Sequence, residues 1–487
     1  YIQEVSCKVC FFGIIKKMNN ENKEDFGKRY LKVFAKEAGK KIDCCICCEN
    51  HNDFTLPKDV IDAALNHDLI LFCGAGISTE TRKVMPYTFY NEIKKILVDS
   101  NIDIRDDMPF SQVMSLYCKN QRNGRQKLYQ KIQNRFQMIK NFPELYNSAT
   151  EFHKEIRQIP QINTVITTNW DTYFEDECDM FPIIYNEDAA LWDTFEKRVF
   201  KIHGSIKNVG SIVATEEDYQ KCHKRLSEDP IGDRLKTILS TKTVVFIGFS
   251  FGDEDLNELL DVLSGKLGDF SNQYYLVTID KNWEKNKDKR IIPIITDGTF
   301  FIQSLKEELI TRGFLVKNNI YDYAKECNHL LLEEHTELTN HENFVDILTE
   351  YPELLLTIAY QDGLIHAYQR CISNEANGSF LRHGYLNGVA RQYNTFYEKR
   401  LEERNFNLAY YDLGYSDGMI SLDLLSEGNA EAYCPPPYIY NDKFFDATEE
   451  LISYLEKNRN EEIFKYCQQI VNEFPKGTIP HNRPWFC

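Results

Sequence analysis

The stretch LILFCGAGISTE, Leu69 to Glu80, joins five consecutive apolar residues to a small-residue turn, Gly74-Ala75-Gly76, and then to Ile77-Ser78-Thr79-Glu80. A short unbroken apolar run is what a parallel strand buried on both faces requires. A turn free of bulky side chains directly after it lets backbone N–H groups approach a ligand, phosphate above all. A helix starting there would add the positive end of its dipole. Alone, the turn has a second reading as plain strand-to-helix packing, because GAG is shorter than a full G-x-G-x-x-G fingerprint.

Four more strand-like runs follow, and each ends in polar residues. Asn163 to Thr168 leads into Asn169-Trp170-Asp171, and Arg198 to Ile202 into His203-Gly204-Ser205. Thr243 to Ile247 leads into Gly248-Phe249-Ser250-Phe251-Gly252-Asp253, and Gln273 to Ile279 into Asp280. Helical patterns over Val60 to Asn66, Phe89 to Val98, Gln112 to Ile139 and Asp255 to Leu267 separate several of these runs. That alternation predicts an α/β fold, Rossmann-like, with a mostly parallel sheet covered on both faces. In open sheets of this kind ligands bind outside the carboxyl ends of the strands, so Ser78, Asn169, Asp171, His203, Ser250, Asp253 and Asp280 are expected to converge. Each has a plainer reading: Asn169, Asp171 and Asp253 as helix caps, His203 as a hydrogen-bonded core residue.

The 487 residues suggest two to four domains, and a 43% hydrophobic fraction suffices for real cores. No apolar run approaches the roughly 20 residues of a membrane span, and no secretory leader pattern is visible. Fifteen cysteines, an odd number spread along the chain, suit a reducing cytoplasm better than a disulfide framework. A net charge of −17 argues against nucleic-acid binding through a basic surface. The acidity is concentrated from Phe314 onward, where 14 Lys and Arg face 27 Asp and Glu.

Three domains are therefore expected: 1–56, 57–313 and 314–487. The first is a lysine-rich leader with Cys7-x-x-Cys10 and a second C-x-x-C pair, read either as Cys44/Cys47 or as Cys45/Cys48. Cys7, Cys10, Cys45 and Cys48 form the zinc-ligand set of this spacing, with unliganded thiols as the alternative. Within the second domain, Lys119, Arg122, Arg125, Lys127, Lys131 and Arg135 lie on the Gln112–Ile139 pattern. They form a basic face that either faces solvent or helps to hold phosphate, and the helical spacing favours the solvated reading. The third domain reads as helical and without strand-like runs, and it ends in a helical pair over Asp442–Lys457 and Asn460–Phe474. Glycines four apart, at 384/388 and 414/418, together with a related segment at Gly363, suggest close helix approach inside the chain.

Four motifs in order, GAGISTE (Gly74–Glu80), TTNWD (Thr167–Asp171), IHG (Ile202–Gly204) and IGFSFGDEDL (Ile247–Leu256), resemble those of the sirtuin-like fold. The segment Ala214-Thr215-Glu216-Glu217-Asp218-Tyr219 is similar to the divergent prokaryotic branch found in anti-phage defence proteins. The resemblance covers roughly Leu56 to Gly313. It implies NAD⁺ binding, with Gly74, Ala75, Gly76 and Ser78 at the pyrophosphate, Gly248 and Ser250 opposite, and Asp280 at the adenosine ribose. Thr168 joins this cofactor-binding set. Asn169 and Asp171 would stand at the nicotinamide end, with His203 as the base on the ribose hydroxyls.

Two departures bear on the reaction. Protein-deacylating sirtuins carry a four-cysteine zinc module after the His-Gly motif, whereas His203 to Gly248 contains only Cys222. Thr81-Arg82-Lys83-Val84-Met85-Pro86-Tyr87 replaces their Gly-Ile-Pro-Asp-Phe-Arg run. The resemblance with these departures points to water as acceptor: an NAD⁺ glycohydrolase, regulated, oligomeric, and answering to an activating phage or host protein. A deacylase or ADP-ribosyltransferase and a non-catalytic NAD⁺ or ADP-ribose sensor are the alternatives.

Overall fold

A computed structural model describes residues 52–81, 84–249, 273–281, 283, 291–317, 319–340, 343–429, 433–441, 443–474 and 478–482. Cys7, Cys10, Cys45, Cys48, Ser250 and Asp253, with the helical pattern over Asp255–Leu267, lie outside them. Two compact units result. The first holds the described residues up to Thr311 together with Ala376–Gly378, and the second those of Arg312–Glu375 and from Ser379 onward.

The first unit is built on seven described strands: β1 (Leu69–Cys73), β2 (Thr164–Thr167), β3 (Phe181–Ile183), β4 (Arg198–Lys201), β5 (Thr243–Ile247), β6 (Tyr274–Thr278) and β7 (Ile291–Ile295). They lie side by side in the order β3-β4-β2-β1-β5-β6-β7, and every pairing is parallel. The parallel α/β sheet expected from the alternation is thus present. The central strand β1 is buried along its whole length because both faces are covered. Ile70 and Phe72 join Ile166, Phe200, Phe246 and Leu276 in one apolar cluster. By the period-two alternation of a strand, Leu69, Leu71, Val165 and Val245 are buried on the other face.

Two edge strands escape the sequence reading. β3 is only three residues long, and β7 is interrupted by Pro293, which pairs with Leu276. Proline cannot donate to a ladder, so it masks a strand in the sequence yet is tolerated at a sheet edge.

Helices α1 (Lys58–Leu65), α2 (Phe89–Asp99), α3 (Phe110–Asn120), α4 (Gly124–Asn141) and α5 (Pro143–Ile156) fill the sequence around β1 and before β2. The helical region expected over Gln112–Ile139 is present as two helices, α3 and α4. The break falls at Asn123, in the left-handed region at φ 57°, and at Gly124, where a Cβ would lie 2.1 Å from the Cys118 carbonyl oxygen. Ile93 and Leu97 of α2, Val113, Met114 and Tyr117 of α3, and Leu128 and Ile132 of α4 form a separate core. After β2 come α6 (Tyr173–Cys178), α7 (Asn186–Ala189), α8 (Glu216–Glu228), α9 (Pro230–Thr241) and, after β7, α10 (Gly298–Thr311).

The second unit is largely helical: α11 (Ile320–Thr339), α12 (Phe344–Glu350), α13 (Leu354–Ser373), α14 (Tyr385–Glu402), α15 (Phe406–Ser426), α16 (Thr448–Asn458) and α17 (Glu461–Glu473). Helices α13 and α15 are in backbone contact. A Cβ at Gly363 would meet the Tyr411 carbonyl oxygen at 2.1 Å, one at Gly414 the Tyr360 carbonyl oxygen at 2.1 Å, and one at Gly418 the Ala367 Cβ at 2.9 Å. Close approach of this kind is what small residues permit, and it keeps Tyr360, Tyr368, Tyr411 and Tyr415 fully buried. Gly384 and Gly388 do not share the role: a Cβ at either meets open space, and Gly384 starts α14 at φ 74°. A short antiparallel hairpin, β8 (Tyr438–Tyr440) with β9 (Lys443–Phe445), corrects the expectation of a strandless tail and delays the helix expected at Asp442 until Thr448.

Candidate active site

The ends of β1, β2 and β4 open on a cleft of about 260 Å³ in the first unit. Among its lining residues are Ala75, Glu80, Arg135, Asn169, Asp171 and His203. Thr168, Trp170 and Tyr219 complete the part nearest the sheet. Strand order puts the switch point between β1, whose chain continues to β2 on one side, and β5, whose neighbour β6 lies on the other; the cleft opens beside that point, on the β2 and β4 side of β1.

The glycine turn is explained first by packing. The Gly74 N–H donates to the Ile247 carbonyl (2.9 Å) and the Gly76 N–H to the Gly248 carbonyl (2.9 Å). A Cβ on Gly74 or Gly76 would lie 2.7 or 2.8 Å from the Gly248 oxygen. Gly248 itself sits at φ 77°, and a Cβ there would meet Ile77 Cγ2 at 2.7 Å. Three glycines therefore interlock the turns after β1 and β5 backbone to backbone. The helix expected directly after this turn is absent: a single 3₁₀ turn, Ala75–Ile77, is followed by irregular chain, and α2 begins only at Phe89. Among the described residues no α-helix starts at the turn, and the N–H groups of Gly74, Gly76, Ile77 and Ser78 are taken by the Ile247, Gly248, Gly74 and Ala75 carbonyls.

Asn169 is oriented by hydrogen-bond accounting. Its side chain faces the Gly74 carbonyl oxygen at 3.2 Å, which can only accept, so the amide nitrogen must point there. The same nitrogen lies 3.4 Å from Ser78 Oγ, and Ser78 donates to Asp171 Oδ2 at 3.1 Å. Asn169 Oδ1 is left buried without a hydrogen-bond partner. An unpaired buried acceptor costs about 1–3 kcal/mol, which a hydroxyl or water entering the cleft would recover. Ser78, expected at the pyrophosphate, is instead fully buried beneath Asn169 and Asp171.

Asp171 serves fold and site together. Its Oδ1 accepts the Tyr173 N–H (3.2 Å) at the start of α6, the capping role foreseen as an alternative. Burial raises its pKa; Lys201 and the Tyr173 and Ser78 hydrogen bonds act in the opposite direction. Lys201, itself buried on β4, donates to the Asp171 carbonyl and pairs with Glu175 at 3.3 Å.

His203 follows β4, is 5% exposed, and packs edge-on against Tyr219 with ring centres 5.2 Å apart. Gly204 after it stands at φ 80°, and a Cβ there would meet the Ser211 carbonyl oxygen at 2.1 Å, so the glycine of the His-Gly pair is a backbone requirement. The segment where deacylases carry zinc is filled by α8 and α9, and Cys222 is a core thiol with Sγ 3.6 Å from the Ile202 oxygen. Of the remaining expected residues, Asp280 follows β6 and takes its N–H to Thr278 Oγ1 (3.2 Å), outside the cleft lining.

Arg135 corrects the reading of the basic face. Arg125 pairs with Asp218 at 2.6 Å and Lys131 with Glu92 at 2.9 Å, while Lys119, Arg122 and Lys127 are exposed. Arg135 instead turns inward: its side chain is 4% exposed, and Nη2 donates to Glu80 Oε1 (3.1 Å) and the Tyr87 carbonyl (3.0 Å). Its Nε and Nη1 have no hydrogen-bond partner. The signal was present in the sequence, since Leu128, Ile132, Arg135 and Ile139 recur at helical spacing on one buried stripe. Glu80, beside it, has its pKa raised by burial against the pull of Arg135, and Glu80 Oε2 accepts the N–H of Phe89 at the head of α2 (2.9 Å).

Residues 163–294 match the SIR2-like domain. The chain is 23% identical to defence-associated sirtuin 2 of Bacillus subtilis over 371 residues, 72% of this chain and 34% of that protein. It is 26% identical to the NAD(+) hydrolase ThsA of Bacillus cereus strain MSX-D12 over 285 residues, 56% of this chain and 55% of that one. With ThsA of Enterococcus faecium the figures are 26% over 295 residues, 58% and 56%. The chain thus spans between a third and just over half the length of these relatives. The matched segment takes in β2, β4, β5 and β6, with Asn169 just after β2 and His203 just after β4.

Proposed function

We propose that the cleft hydrolyses NAD⁺ to ADP-ribose and nicotinamide. The observation that carries this reading is the convergence of Asn169 and His203, from separate strands, on one cleft beside Arg135, whose Nε and Nη1 make no hydrogen bond, Nη1 standing 3.7 Å from Glu92 Oε2. Cleavage breaks the bond between the ribose anomeric carbon and the nicotinamide nitrogen. The electron pair leaves with the ring, neutralising its positive charge, and the sugar becomes oxocarbenium-like. Water then bonds to the anomeric carbon and gives up a proton. Asn169 Oδ1 is the acceptor that orients that water, and His203 is the base acting at the ribose hydroxyls, a contribution of typically about 10²- to 10⁴-fold. Arg135 supplies a cation to the anionic part of the substrate; a charge-assisted hydrogen bond of this kind contributes about 1.5–3 kcal/mol. Asp171, held by Ser78 and Tyr173, fixes the Asn169 loop.

In this reading Gly74, Ala75, Gly76, Thr168 and Gly248 shape the dinucleotide side, and Ser250 and Asp280 belong to the same set. The names of the relatives, an NAD(+) hydrolase and a defence-associated sirtuin, support a regulated effector of anti-phage defence. The acidic helical part, 314–487, and the leader, 1–56, then serve assembly or sensing of an activating phage or host protein, and self-association into a homo-oligomer is part of that control. Among the described residues no helix is long and apolar enough to cross a membrane.

The test is product analysis from NAD⁺ and the purified chain, alone and with an acetyl-lysine peptide. Nicotinamide and ADP-ribose in equal amounts without peptide support hydrolysis. Release that depends on the peptide, or the O-acetylated product, would replace it with deacylation. Tight NAD⁺ binding without nicotinamide release under any trigger would favour the sensor.

A further inference from the structure

Outside the cleft, in the second unit, α11, α13 and the segment 478–482 bring His335, Asp362 and His481 together, with one donor atom from each within 4.8 Å of the others. His481 Nδ1 lies 3.2 Å from Asp362 Oδ1, and His335 Nε2 lies 3.9 Å from the same oxygen. The two imidazole rings are 5.1 Å apart.

The hydrogen bonds around His335 settle its tautomer. Gln361 Nε2 donates to the Pro437 carbonyl (3.1 Å), which can only accept, so Gln361 Oε1 is the atom facing His335 Nδ1 at 2.8 Å. That oxygen can only accept in turn, and His335 must carry its proton on Nδ1. Nε2 then presents a bare lone pair toward a carboxylate. His335 Nε2 and His481 Nδ1 thus both face Asp362 Oδ1, at 3.9 and 3.2 Å, the arrangement of a carboxylate and two imidazoles around a shared cation position. An imidazole whose far N–H is fixed by an amide or carboxylate oxygen is also the usual form of a metal-bound histidine. The remaining Asp362 oxygen accepts the Asn482 N–H at 2.7 Å, which leaves Oδ1 for the shared position.

We propose that His335, Asp362 and His481 form a three-ligand site for a divalent transition-metal ion of the zinc class, which fastens the segment 478–482 to α11 and α13. Imidazole with carboxylate suits zinc and its neighbours better than calcium or magnesium. Ligand bonds of about 2.0–2.2 Å in a tetrahedral arrangement place donor atoms about 3.4 Å apart. The His481–Asp362 pair, at 3.2 Å, is already near that separation, and His335 Nε2 stands about half an ångström beyond it from Asp362 Oδ1. Three protein ligands leave a fourth position for water.

The experiment uses the full chain, stripped with a chelator and reloaded with Zn²⁺ or Co²⁺, with bound metal measured per chain. Wild type is expected to hold one equivalent that both His335→Gln and His481→Ala lose. The lost Co²⁺ component is expected to show visible bands of nitrogen and oxygen coordination without thiolate charge transfer, which separates it from metal held by the leader cysteines. The His481 side chain is 43% exposed, so His481→Ala reads the site even if His335→Gln fails to fold. Equal metal content in wild type and a folded His481→Ala variant overturns the proposal, as does a lost component that carries thiolate bands. In that case the cluster is an ion pair between Asp362 and protonated His481.

Discussion

Replacing Gly76 by alanine puts a methyl group 2.8 Å from the Gly248 oxygen, 3.0 Å from its Cα and 3.1 Å from its carbonyl carbon. All three are backbone atoms of a residue at φ 77°, so no side chain can swing aside. Reaching the roughly 3.5 Å at which such atoms pack requires the turns after β1 and β5 to separate by about 0.7 Å. The Gly76 N–H to Gly248 carbonyl bond, now 2.9 Å, would then exceed the length at which it counts as one. Losing it costs about 1 kcal/mol and overpacking a further 1–3 kcal/mol, on the order of 2–4 kcal/mol together. In urea unfolding of the full chain, followed by a probe in the first unit, this corresponds to a midpoint lower by on the order of 1 M. Gly210→Ala is the control, because its Cβ would meet only Asn208 Oδ1, at 3.6 Å. If Gly76→Ala shifts the midpoint no more than Gly210→Ala does, the interlocked turns are not what requires glycine here.

Further outcomes follow from other parts of the molecule. Arg135→Lys keeps the charge beside Glu80 but loses the guanidinium fork, so KM for NAD⁺ is expected to rise by on the order of tenfold with kcat little changed; a KM within twofold of wild type would remove Arg135 from the substrate site. Gly363→Ala forces a methyl group into the Tyr411 carbonyl oxygen 2.1 Å away and is expected to lower the thermal midpoint of the second unit far more than Gly388→Ala, whose Cβ meets open space. Burial raises the pKa of Asp417 to about 6, although the hydrogen bond from the Tyr360 hydroxyl (2.8 Å) opposes the shift. The folded state then holds a proton that the unfolded chain has released, so stability falls as pH rises from about 4 through about 6, by on the order of 2–3 kcal/mol. Asp417→Asn, which still accepts from Tyr360, is expected to flatten that slope in melts between pH 4 and 8, and an unchanged slope would dismiss the assignment.

What could be seen in the sequence followed from strong local signals. β1 and β5 announced themselves as apolar runs, and the polar residues after β1, β2 and β4 marked the open end of the sheet, because nothing in a buried strand calls for Asn169 or His203. Other features depended on context. Pro293 hid β7, since a proline reads as a strand breaker until the strand is known to lie at an edge. The glycine turn looked like the start of a helix, but the meeting of Gly74 and Gly76 with Gly248 is a contact over more than 170 residues that no local pattern carries. Ser78 looked like a ligand group because serine after glycine so often is one, whereas burial under Asn169 gives its hydroxyl to Asp171. Arg135 was the reverse case: its charge suggested solvent, while its spacing with Leu128, Ile132 and Ile139 placed it inside.

The central claim, that Asn169 and His203 are the working parts of an NAD⁺-cleaving cleft, is tested most directly by NAD⁺ content in phage-challenged cells expressing the chain. Wild type is expected to drain the pool, whereas Asn169→Ala and His203→Ala, expressed at the same level, are expected to leave it intact. NAD⁺ that is undisturbed by wild type, or drained equally by both variants, would contradict the account.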